Sequence, residues 1–127
     1  MPNMPDSAIS ISVQTRYLKE QSHPAQPLYA FAYHITIHNQ GKETVTLLTR
    51  HWIITDSDGK RQEVQGEGVV GQQPTLAPGE SFDYSSGATL KTPVGTMEGS
   101  YGMVTLDGTA FNAAIPPFLL AVPGSIN

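Results

Sequence analysis

The most suggestive spacing in the chain belongs to three glycines. Gly66, Gly68 and Gly71, within VQGEGVVGQQP, follow the G-x-G-x-x-G pattern of a turn that holds a dinucleotide pyrophosphate. That chemistry needs a strand before the glycines and a helix after them, because the helix N-terminus supplies the amides and the positive dipole end that face the phosphates. The preceding KRQEV can supply the strand, but VVGQQPTLAPG has no helical period and carries Pro74 and Pro78. Glu67 also stands between the first two glycines, where a carboxylate repels phosphate unless it points away. No Gly-Lys-Ser/Thr of a phosphate-binding P-loop occurs anywhere. The glycines therefore read as backbone residues of a long inter-strand loop. Anion binding by exposed loop amides is the alternative.

The remaining reactive residue types give weaker patterns. His34 and His38 would converge on a helix. On a strand they lie about 13 Å apart, at ~3.3 Å per residue, too far to share an ion held at ~2 Å. His23 and His51 have no spacing of their own, and His51 could join a site only from a neighbouring strand. Asp56 and Asp58 resemble the start of a calcium loop, with Glu67 at its twelfth position. The fifth position is Lys60 and the sixth, where glycine is required, is Arg61. An acidic hairpin tip is the stronger reading, with loose Mg²⁺ or Co²⁺ contact at Asp56 and Asp58 as the weaker one. Ser100 in EGSYG lacks the G-x-S-x-G spacing, no Ser-His pair can be placed, and Asp83 and Glu98 cannot be located relative to each other. No catalytic constellation stands out, and no cofactor is expected.

The elements that would position these residues are strands. Ile9, Ile11, Val13, Thr15 and Tyr17 alternate with polar residues, as in a half-buried strand. YAFAYHITIHN puts Tyr29, Phe31, Tyr33, Ile35 and Ile37 on one face and His34 and His38 on the other. Asp58-Gly59, Pro78-Gly79 and Asp107-Gly108 are turn signals between further alternating runs. Seven or more short strands with no amphipathic helix predict an all-β antiparallel sandwich of the immunoglobulin or fibronectin type III kind. Residues 1–7 read as a flexible tail and 8–127 as one domain. Trp52 reads as a core anchor. In AIPPFLLAVPG the prolines predict an edge segment, either a core strand or a sticky patch in which Phe118 and Leu120 contact a partner.

Composition narrows the function. The chain is 39% hydrophobic and only 14% charged, with 12 glycines and 10 prolines, which suits a turn-rich β protein. A net charge of −4, with scattered lysines and arginines, argues against nucleic-acid binding. The chain contains no cysteine, which removes disulfides, thiolate nucleophiles and cysteine-held zinc together. MPNMPDSAIS lacks the basic and apolar regions of a signal peptide, and IPPFLLAV is too short to span a bilayer. The expectation is a cytoplasmic protein without membrane insertion.

Four ordered motifs, LLTRHWIITDSDG, VQGEGVVGQQP, LAPGESFDYSSGATLKTP and GTMEGSYGMV, resemble the bacterial ApaG (CorD) family from about Ile9 to Val122. The resemblance implies a fibronectin type III-like sandwich and a cytoplasmic protein linked to cobalt tolerance and magnesium efflux. No enzymatic activity is established for such proteins. Related domains in eukaryotic F-box proteins and in a polymerase-delta-interacting protein imply protein binding. The family's glycine pattern is intact at Gly66, Gly68 and Gly71, so a suggested pyrophosphate affinity is implied for those positions. The expectation is a non-enzymatic interaction module with an unidentified protein partner, and phosphate, pyrophosphate or nucleotide binding is the alternative.

Overall fold

The computed structural model describes residues 8–125, and the expected tail at 1–7 lies outside the described residues. Eight strands form two antiparallel sheets. β1 (Ile9–Tyr17), β2 (Tyr29–Asn39) and β6 (Ser81–Leu90) form the smaller sheet in the order β1-β2-β6. β4 (Arg61–Glu67), β3 (Val45–Asp56), β7 (Val94–Thr105) and β8 (Ala110–Ala121) form the larger in the order β4-β3-β7-β8, and β5 (Thr75–Leu76) pairs with the start of β3. A single 3₁₀ turn, Lys19–Gln21, interrupts the loop after β1. The result is an all-β sandwich of the fibronectin type III and immunoglobulin kind.

Period-two patterning explains why the sheets face each other. β2 buries Phe31, Tyr33, Ile35 and Ile37 and turns His34 and His38 outward. Trp52 comes from β3 and fills the centre of the opposing layer, with rings of Tyr33, Phe118 and Tyr101 edge-on or tilted around it at centroid distances of 5.5, 5.9 and 6.3 Å. One buried amide ties the layers' connections together. Asn39 donates to the carbonyls of Glu43 and Leu76 at 2.7 and 2.9 Å and accepts from the Gly41 amide at 3.0 Å. Both Asp-Gly sequences form turns, but as three-residue loops closed by Asp56 N–H to the Lys60 carbonyl and Thr105 N–H to that of Thr109. Only the glycines take positive φ, 83° at Gly59 and 89° at Gly108, where a two-residue turn would need it at the aspartate as well.

Two irregularities shift side chains between faces. The β3–β7 register shifts between Leu47 and Thr49. On the other side of β7, Met97 pairs Phe118 and Gly99 pairs Ile115, so β8 carries an extra residue at Pro116-Pro117 opposite Glu98. Neither proline has an amide to give to the ladder, and the bulge on this edge strand accommodates both. Beyond it Leu120 is completely buried and Phe118 is half-buried against Trp52, so of the two readings of this segment these residues take the core strand and not the sticky patch in which they would contact a partner. Only Leu119 between them is exposed.

Candidate functional site

The glycine segment forms a tight hairpin at the end of β4. Val69 and Gln72 exchange both backbone hydrogen bonds, at 2.8 and 2.9 Å. The two residues between them, Val70 and Gly71, have φ of 43° and 81°, the signs of a type I′ turn. Gly68, at φ 66°, donates its amide to the Leu48 carbonyl at 2.8 Å, and a Cβ there would stand 2.3 Å from the Gln72 oxygen. A strand and a hairpin surround these glycines, with no helix N-terminus. The amides of Gly68, Val69 and Gln72 are used internally, and those of Val70 and Gly71 make no hydrogen bond within the described residues.

Gly66 belongs to β4 itself and pairs with Arg50 on β3. The Arg50 guanidinium lies over it, 2.7 Å from where a Cβ would be, and Nη1 donates to the carbonyls of Glu67 and Gly68, both at 3.0 Å. Arg50 thus fastens the hairpin to the sheet. Its charge also favours the ionised forms of Tyr33 and Tyr84 in the core beneath, but burial outweighs it and raises both phenol pKa values, that of Tyr84 to about 12. Tyr84 and Tyr101 meet hydroxyl to hydroxyl at 2.5 Å. Arg50 was not legible as a site residue, because its partner is set by strand register and not by sequence distance.

Beside this clamp lies a depression of about 500 Å³, lined among others by Thr49, His51, Gln65, Gly66, Ser100 and Asn112. A second, of about 280 Å³, shares Thr49, Gly102 and Asn112 with it and continues to Leu48 and Phe111. Together they make a shallow trough that crosses the larger sheet from β4 to β8, polar on one side and apolar on the other. His51 Nε2 and Glu63 Oε2 lie in hydrogen-bond contact at 2.8 Å beside it.

The acidic tip and the histidines take up separate positions. Asp56 Oδ1 accepts from the amides of Asp58 and Lys60 at 2.9 and 3.0 Å, holding the hairpin turn, while Asp58 is exposed. His34 and His38 point the same way along β2 and bond to different partners on β6, His34 to Ser85 and Asp83 and His38 to Ser81. His23 lies in the loop before β2, where its backbone bridges Leu28. Among the described residues no group of three or more His, Cys, Asp or Glu is arranged to hold a metal ion. The His34–Ser85 contact joins residues far apart in sequence, and only the β2–β6 register brings them together.

Comparison with known proteins places this architecture. The family model described as the ApaG domain matches residues 19–105. The chain belongs to the ApaG family. Protein ApaG of Pseudomonas aeruginosa is 58% identical over 119 residues, 94% of each chain, and that of Pseudomonas putida is 56% identical over 123 residues, 97% of this chain and 98% of the other. A crystal structure of a Bordetella pertussis protein named ApaA matches with a TM-score of 0.89 at 51% identity, covering 92% of this chain and 95% of that one. The ApaG match spans the Arg50 clamp, the glycine hairpin and the acidic turn alike.

Proposed function

We propose that this ApaG chain is a non-enzymatic, cytoplasmic interaction module whose tie to cobalt tolerance and magnesium efflux runs through a protein partner. The observation that supports this reading is strand β4. Among the described residues it pairs only with β3 and its other edge is unpaired, and every residue from Arg61 to Glu67 except Gly66 is exposed, including Val64. An open edge of this kind accepts an extended segment of another chain through main-chain hydrogen bonds. The test is complementation of cobalt tolerance in a bacterial strain lacking its own copy. A Glu63→Pro, Gln65→Pro double variant that stays folded is expected to lose tolerance, together with crosslinking from a photoreactive residue placed at position 61, because the amides of residues 63 and 65 point away from β3. Full tolerance with the blocked edge would reject β4 as the contact.

A second reading, anion binding at the glycine hairpin, is favoured by the free amides of Val70 and Gly71 close to the Arg50 clamp. Saturable amide shifts at those two residues on adding pyrophosphate would support it. Shifts spread evenly over the surface, or none, would end it.

A further inference from the structure

The outer face of the smaller sheet carries chemistry that the interaction reading does not use. His34 on β2 stands directly opposite Ser85 on β6, and Asp83 lies two residues along the same strand, on the same face. The imidazole is held at both ends, with Nδ1 2.7 Å from Ser85 Oγ and Nε2 3.2 Å from Asp83 Oδ2. A carboxylate can only accept, so in the neutral ring Nε2 carries the proton and donates to Asp83. Nδ1 is then the lone-pair nitrogen and accepts the Ser85 hydroxyl. This polarity, with a serine, a base and a carboxylate that orients the base, is the one that activates serine nucleophiles.

The same sheet contains its own control. His38 Nδ1 lies 2.6 Å from Ser81 Oγ, but no carboxylate holds its other nitrogen among the described residues, so either tautomer fits. Ser85 also differs in what it faces. It opens on a depression of about 320 Å³ lined by Gln14, Arg16, Ala32 and His34 among others, with a guanidinium and no carboxylate in the lining. Ala32 pairs with Gly87 across the strands, which keeps the wall beside Ser85 low. Asp83 lies at the far end of the ring, outside the lining. The space suits a small electrophile that carries negative charge.

We propose that Ser85 is an activated nucleophile that takes an acyl group from small anionic donors of the acyl phosphate class. Ser85 Oγ bonds to the carbonyl carbon as its proton passes to His34 Nδ1. The bond from that carbon to the phosphate oxygen then breaks, and inorganic phosphate leaves with the proton. The product is a serine ester, and nothing is oxidised or reduced. Arg16 offsets the charge of the phosphoryl group, and Asp83 is a positioning residue that fixes the ring tautomer. The modification is stoichiometric and stands independently of the interaction reading.

The experiment treats the full chain with acetyl phosphate and, separately, with a fluorophosphonate serine probe, and maps modified serines by peptide mass. Ser85 is expected to react about a hundredfold faster than Ser81, the scale of general-base assistance. His34→Gln should bring Ser85 down to the Ser81 rate, while His38→Gln leaves Ser85 unchanged. Asp83→Asn should slow it about tenfold, because an amide holds either tautomer, and Asp83→Glu should restore most of the rate. The substituted side chains face solvent on the sheet, and unchanged amide spectra confirm that each variant is folded. Equal labelling of the two serines, or Ser85 labelling that survives His34→Gln, overturns the proposal. Reaction with the fluorophosphonate but not with acetyl phosphate overturns the donor class.

Discussion

The three glycines of one motif do three different structural jobs, and alanine substitution separates them. At Gly68 a Cβ would strike the Gln72 carbonyl at 2.3 Å in a backbone already at φ 66°, so Gly68→Ala is expected to cost well above the ~1–2 kcal/mol of a left-handed alanine. Gly71→Ala meets nothing within 4 Å and should cost only that ~1–2 kcal/mol. Gly66→Ala displaces the flexible end of Arg50 and should fall between them. Urea unfolding of the three variants checks the order, and a Gly71 variant as damaged as the Gly68 variant would contradict it. A second residue-level expectation comes from the buried phenols. Burial raises the Tyr84 pKa to about 12, and Tyr101 shifts the same way from burial and from the neighbouring Tyr84. In the unfolded chain both ionise near ~10, so above that pH the unfolded state binds fewer protons and stability falls as pH rises. The contribution is complete below pH ~10, and Tyr84's share is lost by about 12. The slope is ~1.4 kcal/mol per pH unit for each phenol. The Tyr84→Phe, Tyr101→Phe double variant should flatten much of this decline between pH 10 and 11, and an unchanged slope would show that other groups cause it.

Among the elements, β8 shows both what sequence patterning reveals and where it stops. Alternation alone located β1 and β2 and chose the inward face of β2, because β2 keeps period two from Phe31 to Ile37. β8 does not. Phe111, Ala113 and Ile115 face inward, and unbroken alternation would then place residues 117 and 119 inside and Phe118 and Leu120 outside. The bulge at Pro116-Pro117 resets the phase, so Phe118 and Leu120 enter the core. Two adjacent prolines predict an irregular edge strand but do not say how many residues it absorbs. The two-residue strand β5 and the Val69–Gln72 hairpin were likewise illegible, because their pairing depends on register and on a non-glycine residue at positive φ. The candidate site was half legible for the same reason. Sequence spacing singled out the glycines, but Arg50, Asp83 and Ser85 become neighbours of their partners only across strands. The phase of β8 is directly testable. Leu120→Ala should cost ~2–5 kcal/mol and Leu119→Ala no more than ~0.5 kcal/mol in chemical unfolding. Comparable losses at both positions would mean that the bulge sits elsewhere.

Across the whole molecule, the net charge of −4 is spread over the surface, and many of its carboxylates already have partners. Asp56 holds its own hairpin turn, Asp107 accepts from Thr105 and Thr109, Glu80 accepts from the Ala77 amide, and Glu63 and Asp83 pair with histidines. The hydrogen bonds from Thr105 and Thr109 lower the Asp107 pKa, so that carboxylate is stabilised as an anion without a cation. A divalent ion would have to displace these contacts at exposed positions where water competes for it. On the proposal that a tie to cobalt and magnesium runs through a partner, millimolar Mg²⁺ or Co²⁺ should leave the melting temperature of the isolated protein unchanged. Specific binding would be easy to see. An ion at a hundred times its dissociation constant adds ~2.7 kcal/mol, which moves the midpoint of a domain this size by about 10 °C. A saturable rise of that order with either ion would make the protein itself the metal binder, and Asp56 and Asp58 would be the first residues to substitute. No shift, alongside lost tolerance when the β4 edge is blocked, would locate cation handling in the complex and not in the sandwich.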